Sequence, residues 1–192
     1  MCHLKALQKL LFLFSVVCLI ACEEKQVESV TSVSTTGNTV GSWQLVDGST
    51  FNRTNKAEKL LFINYWAEWC KPCIAEIPEL NRFKQNYGQF VDVVGVNYDG
   101  LKVEALKASA DKLGIEYSVA IDNMGKPWLS QLPEALPATL VIAADNSLCA
   151  TLLGEQSLDT LLEAAEHCGF KQSSLKPGGL KKDGLNRDNG SL

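Results

Sequence analysis

Two cysteines separated by two residues stand in the stretch "INYWAEWCKPCIAEIPEL", residues 63 to 80. Such a pair has three uses. A metal site needs further thiolate or imidazole ligands. A structural disulfide across so short a loop restrains the unfolded chain little. A redox pair exchanges electrons with other thiols and disulfides. The residues around Cys70 and Cys73, and the compartment of the protein, decide between these uses.

The local sequence favours the redox use. Cys70 comes directly before the first turn of a predicted helix, where unpaired N–H groups and the helix dipole stabilise a thiolate. Lys71 adds a positive charge, and Cys73 lies one turn further on, where it can attack a mixed disulfide formed at Cys70. Beyond the signal region the chain has one histidine, His167, so a metal site is not expected. The Cys70–Cys73 pair is predicted to work without a cofactor.

The elements that position this pair follow from hydrophobic patterns. They are predicted in this order: a hairpin about Asp47-Gly48, a buried strand 59–67, a helix after Cys70, a strand 90–99, a helix 101–114, a strand 117–122, a hairpin 138–154 and a helix 157–168. Pro72 fits the first turn of the first helix, and Pro78 is expected to kink it. This order predicts an α/β sheet with helices on both faces and the cysteines on a loop at the carboxyl end of a strand.

The N-terminus predicts export. Residues 1–21 form a signal peptide with two lysines followed by an apolar run, Leu10 to Ile20, that is too short to span a membrane comfortably. The run ends at Leu19-Ile20-Ala21-Cys22, which resembles the lipobox of bacterial lipoproteins. Cys22 is therefore the predicted lipid attachment site, and the protein is expected to be anchored in the cell membrane and to face the periplasm. The alternative is an ordinary secretory signal with a chance cysteine. The acidic pair after Cys22 favours the inner membrane, with the outer membrane left open.

Composition divides the rest of the chain. Residues 22–42 are polar and rich in Ser and Thr, as in a flexible tether, and residues 171–192 are predicted to be a disordered tail. Residues 43–170 are long enough for one domain. The signal carries two of the 18 basic residues and none of the 22 acidic ones, so its removal takes the formal net charge from −4 to −6. An acidic chain without a basic cluster gives no reason to expect nucleic-acid binding.

The segment "INYWAEWCKPC" resembles the active-site segment of the thioredoxin superfamily, and the element order extends that resemblance over about residues 43–168. Within the superfamily the chain is most similar to the TlpA/ResA-like disulfide reductases, which are also membrane-tethered and begin with a hairpin. An additional segment, residues 123–136, precedes the last hairpin. The resemblance implies a thioredoxin-like fold with a central mixed sheet.

The resemblance also implies roles for particular residues. Glu76 stands where this subfamily often has a glutamate, and thioredoxin's buried aspartate is here Asn64, so Glu76 is the candidate for proton transfer with Cys73. The alternative for Glu76 is a solvated surface side chain. Pro137 matches the cis-proline that faces the cysteines, with a trans proline as the alternative. The predicted substrate-binding residues are Trp69, Pro72, Leu136 and Pro137.

These expectations converge on an anchored thiol-disulfide oxidoreductase that reduces protein disulfides and is recycled by a membrane thiol-disulfide reductant. We expect it to act as a monomer. An oxidase or isomerase direction stays open, because the motif does not set the redox potential. A copper-delivery module is one alternative. A thiol peroxidase is another, although the position three residues before Cys70, where peroxiredoxins carry Thr, holds Ala67.

Two further cysteines, Cys149 and Cys168, are not explained by the resemblance. The predicted strand travels about 13 Å from Cys149 to Leu153, at roughly 3.3 Å per residue. The last helix travels roughly 16 Å back from Ser157 to Cys168, at 1.5 Å per residue. The two distances nearly match, so we predict that Cys149 and Cys168 form a structural disulfide. The alternative is a pair of buried free thiols.

Overall fold

The computed structural model describes residues 39–171. Its elements are β1 (Thr39–Gln44), β2 (Thr50–Thr54), β3 (Leu60–Trp66), α1 (Lys71–Tyr87), β4 (Val91–Asn97), α2 (Val103–Leu113), β5 (Ser118–Ala120), β6 (Ala138–Ile142), β7 (Leu148–Leu153) and α3 (Leu158–His167). β1 and β2 form an antiparallel hairpin, and the other five strands form one sheet. The predicted α/β class, the mixed sheet and the N-terminal hairpin are confirmed.

The five-stranded sheet has the order β5-β4-β3-β6-β7 and places β3 at its centre. β3 pairs in parallel with β4 and antiparallel with β6, and β4 pairs in parallel with β5. All seven residues of β3 are buried, which explains its nearly continuous apolar sequence. Because β3 is the central strand, the loop after Trp66 lies in the middle of the sheet edge where β3 and β4 have their carboxyl ends.

All three helices of residues 39–171 pack on the same face of the sheet. Leu60 and Phe62 of β3 lie in a cluster with side chains of α1 and α3, and Trp66, on the same side of the strand, packs with Leu106 and Ala110 of α2. The expectation of helices on both faces is therefore wrong for the part of the chain that is described. The reason is topological: β3–α1–β4 and β4–α2–β5 are parallel crossovers that advance toward the same edge, and right-handed crossovers of that kind place both helices on one side.

The opposite face is covered by the N-terminal hairpin and by residues 123–136. We call its buried side chains the hairpin-side cluster; they are Leu45, Leu61, Ile63, Tyr65, Val94, Val96, Ala120, Met124, Ala138, Leu140 and Ile142. Trp43 of the hairpin stacks on Trp128 with ring centroids 6.2 Å apart. Arg53, which is buried, ties the hairpin to the β6–β7 turn through a bond from its Nε to Asn146 Oδ1 (2.7 Å). Residues 123–136 thus cover this face of the sheet with turns and bends rather than with a helix.

The ends of the helices agree with their sequence signals in most places. Gly114 ends α2 in the left-handed conformation, and Ser157 caps α3 with its side chain. α2 begins at Val103, two residues later than expected. α1 runs from Lys71 to Tyr87 as one helix that contains Pro78. Ile74, in the first turn of α1, is 38% exposed, whereas Ile77, Leu80 and Phe83 of the same helix are buried.

Several predicted features lie wholly or partly outside residues 39–171. The signal peptide and the lipidation site Cys22 are outside this range, as are all but residue 171 of the predicted tail. β1 begins at Thr39, inside the segment 22–42 that was predicted to be a tether. Within the described range, no helix combines the length and the apolar character needed to cross a membrane.

Candidate active site

Cys70 and Cys73 form a disulfide at the N-terminus of α1, with their Cα atoms 5.2 Å apart. The turn after β3 is closed by a bond from the Cys70 N–H to the Ala67 carbonyl (3.2 Å), which positions Cys70 as the N-cap of the helix. The Cys73 N–H points at Cys70 Sγ, 3.3 Å away. The first turn contains no acidic residue. Cys70 therefore lies where a helix N-terminus stabilises negative charge on sulfur.

The peptide bond between Leu136 and Pro137 is cis. Pro137 directly precedes β6, which pairs with β3, and its carbonyl accepts a hydrogen bond from the Gly154 N–H (2.9 Å). The cysteines belong to a buried group that we call the cysteine cluster: Trp66, Ala67, Cys70, Cys73, Leu106, Ala110 and Val119. Leu136 packs against this cluster. The predicted proline loop and the cysteine pair therefore meet, although 63 residues separate Cys73 from Leu136 in the sequence.

Trp69 and Pro72 flank the cysteines on the surface. The indole of Trp69 is 63% exposed, and its Nε1–H donates to the Asp99 carboxylate at 3.1 and 3.2 Å. The ring of Tyr98 meets the Trp69 ring edge-on, with centroids 6.4 Å apart. Pro72 is exposed in the first turn of α1. The result is a fixed, exposed aromatic surface beside Cys70.

Glu76 is fully buried, one helical turn after Cys73. Its Oε1 accepts a bond from Asn64 Nδ2 (2.7 Å), and its Oε2 accepts one from the Gln156 N–H (3.0 Å). Burial raises the pKa of Glu76 to about 7, although these two bonds favour the charged form, and the nearby charge of Glu155 raises it further. The alternative of a solvated surface glutamate is wrong, because α1 turns this side chain toward the sheet.

Sequence reasoning missed two polar residues of this region. Tyr117 donates its hydroxyl to Asn64 Oδ1 (3.1 Å), and Asn64 Nδ2 also donates to Thr139 Oγ1 (3.0 Å). Thr139 lies on β6, which pairs with β3, and Tyr117 lies just before the edge strand β5, so both approach Asn64 only in the folded sheet. A tyrosine or threonine in or next to a strand is ordinary in sequence, and no motif marks these two.

The second cysteine pair lies apart from this network. Cys149 and Cys168 form a disulfide with Cα atoms 5.8 Å apart, which joins β7 to the C-cap of α3. The predicted pairing is thus present in the structure. Cys168 is buried, and Cys149 packs against the same cluster of side chains from β3, α1 and α3. His167, at the end of α3, neighbours this disulfide in sequence.

Within residues 39–171, no group of three or more His, Cys, Asp or Glu side chains is arranged to hold a metal ion. The Cys70–Cys73 disulfide lies on the same helix as the buried carboxyl group of Glu76.

A Cys-X-X-Cys pair at a helix N-terminus, facing a cis-proline on a central mixed sheet, defines a thioredoxin-like protein. The model of the AhpC/TSA family matches residues 37–149, more than half of the 192 residues, and the chain belongs to this family.

Individual relatives agree with this assignment. The thiol-disulfide oxidoreductase ResA of Bacillus thuringiensis (strain Al Hakam) is 30% identical over 104 residues, which cover 54% of this chain and 60% of that protein. ResA of Geobacillus thermodenitrificans is 26% identical over 144 residues, 73% of this chain and 78% of that protein. The crystal structure of a DsbF homologue from Corynebacterium diphtheriae superposes with a TM-score of 0.57 at 20% identity, over 67% of this chain and 83% of that chain. At that identity the superposition shows a common fold alone.

Proposed function

We propose that this protein is a thiol-disulfide oxidoreductase that reduces disulfides in other proteins. One observation carries the proposal: the Cys70–Cys73 pair caps α1 and packs in one cluster with Leu136 of the cis-proline loop. The relatives named above support the same activity, since two carry the name thiol-disulfide oxidoreductase. The chain matches 60% of the length of the first of them, so the activity is inferred for this chain from its own site as well.

In the proposed reaction, the Cys70 thiolate attacks one sulfur of a substrate disulfide. The other substrate sulfur leaves as a thiolate and takes up a proton, and a mixed disulfide remains on Cys70. The Cys73 thiol then loses its proton and attacks Cys70 Sγ, which releases the second substrate thiolate. Two electrons pass to the substrate, and the Cys70–Cys73 disulfide is formed. The helix N-terminus stabilises the starting thiolate, which makes Cys70 the nucleophile.

Glu76 is the proposed base for the second step. A carboxyl group with a pKa of about 7 takes a proton readily near neutral pH and gives it back as readily. Glu76 lies one turn from Cys73 on the buried side of α1. Asn64 occupies the place of thioredoxin's aspartate and cannot titrate, so Glu76 is the carboxyl group of the site that can take the Cys73 proton.

The substrate is proposed to bind across the surface formed by Trp69, Pro72 and the cis-proline loop. An extended peptide of the substrate can pair with the backbone of Leu136, as in other strand-addition complexes. The exposed indole of Trp69 offers apolar contact beside the reacting sulfur. This mode of binding requires an accessible, locally extended disulfide rather than a particular side chain.

We further propose that the protein works outside the cytoplasm as a monomer, anchored to the membrane by lipid on Cys22. A chain that keeps two disulfides belongs in a compartment where disulfides persist. A membrane thiol-disulfide reductase is the proposed partner that returns Cys70–Cys73 to the reduced state. These proposals rest on the N-terminal sequence and on the redox chemistry of the pair.

Cysteine variants test the activity directly. Cys70→Ser is expected to abolish dithiol-coupled reduction of insulin, and Cys73→Ser is expected to accumulate mixed disulfides, because attack survives and resolution does not. Mass mapping of the trapped complex should place the substrate on Cys70. Unchanged insulin reduction in both variants, or equal accumulation of mixed disulfides in both, would contradict the proposal.

Two other functions have distinct outcomes in parallel assays. Tight binding of one copper ion by the reduced protein, without insulin reduction, would support copper delivery instead. Rapid consumption of hydroperoxide by reduced Cys70 would support a peroxidase, for which Ala67 lacks the hydroxyl expected in peroxiredoxins.

A further inference from the structure

A chain of buried hydrogen bonds connects Tyr117 to Glu76 through one amide. The Tyr117 hydroxyl lies 3.1 Å from Asn64 Oδ1, and Asn64 Nδ2 lies 2.7 Å from Glu76 Oε1 and 3.0 Å from Thr139 Oγ1. Asn64, Glu76 and Thr139 are at most 1% exposed, and Tyr117 is 5% exposed. Water therefore cannot replace a lost partner at little cost.

The orientation of the Asn64 amide matters for the charge on Glu76. In the observed orientation the NH₂ group faces the carboxyl group and stabilises its anionic form. In the reversed orientation, Asn64 Oδ1 would face Glu76 Oε1, which repels a carboxylate but accepts a proton from a neutral carboxyl group. Whatever fixes the amide therefore sets the balance between the two forms of Glu76.

The Tyr117 hydroxyl is positioned to hold the Asn64 amide in its observed orientation. The hydroxyl donates to Asn64 Oδ1, and a reversed amide would place the NH₂ group there, so that the buried phenol hydrogen would lose its acceptor among the described residues. Burial also raises the pKa of Tyr117 above its usual range, so the phenol keeps its proton. Thr139 does not select an orientation, because a threonine hydroxyl donates and accepts equally well.

We propose that Tyr117 is a positioning residue for the redox reaction: its hydroxyl holds the Asn64 amide toward Glu76 and so keeps the Glu76 carboxyl group ready to accept a proton. The link to catalysis rests on the proposed role of Glu76, whereas the link between Tyr117 and the charge of Glu76 does not.

Other groups also act on Glu76 from the elements around it. Gln156, in the β7–α3 loop, donates its backbone N–H, and the neighbouring Glu155 contributes negative charge. On α1 itself, Cys73 lies one turn before Glu76. None of these contacts the Tyr117 hydroxyl through a hydrogen bond in the described structure, so removal of that hydroxyl isolates the effect of the amide.

The test is a ¹³C NMR titration of the Glu76 side-chain carboxyl in the oxidised protein, with the signal assigned by its loss in Glu76→Gln. In Tyr117→Phe we expect the Glu76 midpoint to move up by about 0.5 to 1 pH unit, the size of one lost hydrogen bond. The reductase pH–rate profile should move in the same direction. The matched control is Tyr65→Phe, which removes the hydroxyl of a buried tyrosine that donates to Asn123 Oδ1 (2.7 Å) on the other face of the sheet.

An unchanged Glu76 midpoint in folded Tyr117→Phe would overturn the proposal, as would an equal shift in Tyr65→Phe. A measurement on the unaltered protein covers the case of a variant that fails to fold: the ¹³Cζ signal of Tyr117 should show a step at the Glu76 midpoint, and its absence would also refute the coupling. If the Glu76 midpoint shifts as expected while Glu76→Gln leaves the pH–rate profile unchanged, the link between Tyr117 and the charge of Glu76 stands, and the proposed roles of both residues in the redox reaction fail.

Discussion

The Cys149–Cys168 disulfide is expected to contribute much of the stability of the domain. The bond joins residues 19 apart in sequence. In the chain-entropy model, a loop of that length gives a stabilisation of about 3 kcal/mol. The described domain, residues 39–171, has 133 residues, and unfolding entropy near 60 °C is about 2.1 cal/mol/K per residue. Loss of the bond should therefore lower Tm by about 11 °C.

The assay is thermal unfolding of Cys149→Ala/Cys168→Ala, followed by circular dichroism beside the oxidised protein. The double variant also removes two sulfur atoms from a packed cluster, and this loss of packing adds to the entropic effect. Fully reduced protein of the original sequence keeps the sulfur atoms of Cys149 and Cys168 but lacks the Cys149–Cys168 and Cys70–Cys73 bonds. Comparison of the three samples separates packing from cross-linking.

The Cys70–Cys73 bond provides the internal control. Because it joins residues only 3 apart, the same model assigns it about half of that stabilisation. Mild dithiol treatment should open Cys70–Cys73 first, because Cys70 is the N-cap of α1 and the helix N-terminus stabilises the thiolate that forms on reduction. A decrease in Tm of less than about 4 °C in the double variant would refute the assigned role of the bond. Alkylation of Cys149 in the oxidised protein would refute the bond itself.

Two further changes have defined outcomes. Glu76 has a folded-state pKa of about 7 against an ordinary value of 4.5, so burial of its charge costs stability that grows from pH 4.5 to about 7 and then stays constant. Relative to this protein, Glu76→Gln should gain about 2.5 kcal/mol of unfolding free energy between pH 5 and pH 8, measured by urea unfolding; a constant difference would contradict the raised pKa. Cys22→Ala should move the protein from the membrane fraction to the soluble fraction with an unchanged Tm, and continued sedimentation with membranes would contradict lipidation.

Local sequence signals were sufficient for most of the elements near the cysteines. The apolar run of β3, the cap at Cys70 and Pro72 in the first turn of α1 each depend on residues within a few positions of one another. Such signals predict where a strand ends and a helix begins, and hence that Cys70 lies at a helix N-terminus. The motif around Cys70 and Cys73 is local for the same reason.

The arrangement of the helices needed the tertiary structure. Hydrophobic period identifies α1 and α2 as helices with one apolar side, but it does not state which face of the sheet they cover. That follows from the strand order, because two parallel crossovers toward the same edge place both helices together. The other face is then closed by the hairpin and residues 123–136, whose sequence has no regular period.

The candidate active site also combines features that the sequence predicted with features that only the tertiary structure revealed. The sequence by itself predicted the Cys-X-X-Cys pair at a helix N-terminus and the acidic residue one turn later, since all of these lie on or next to α1. Only the tertiary structure decided that Glu76 is buried and has a raised pKa, because its hydrogen-bond partners come from β3 and from the loop after β7. Hydrogen bonds across a sheet depend on strand order and register, and neither is encoded in the residues that surround Glu76 along the chain.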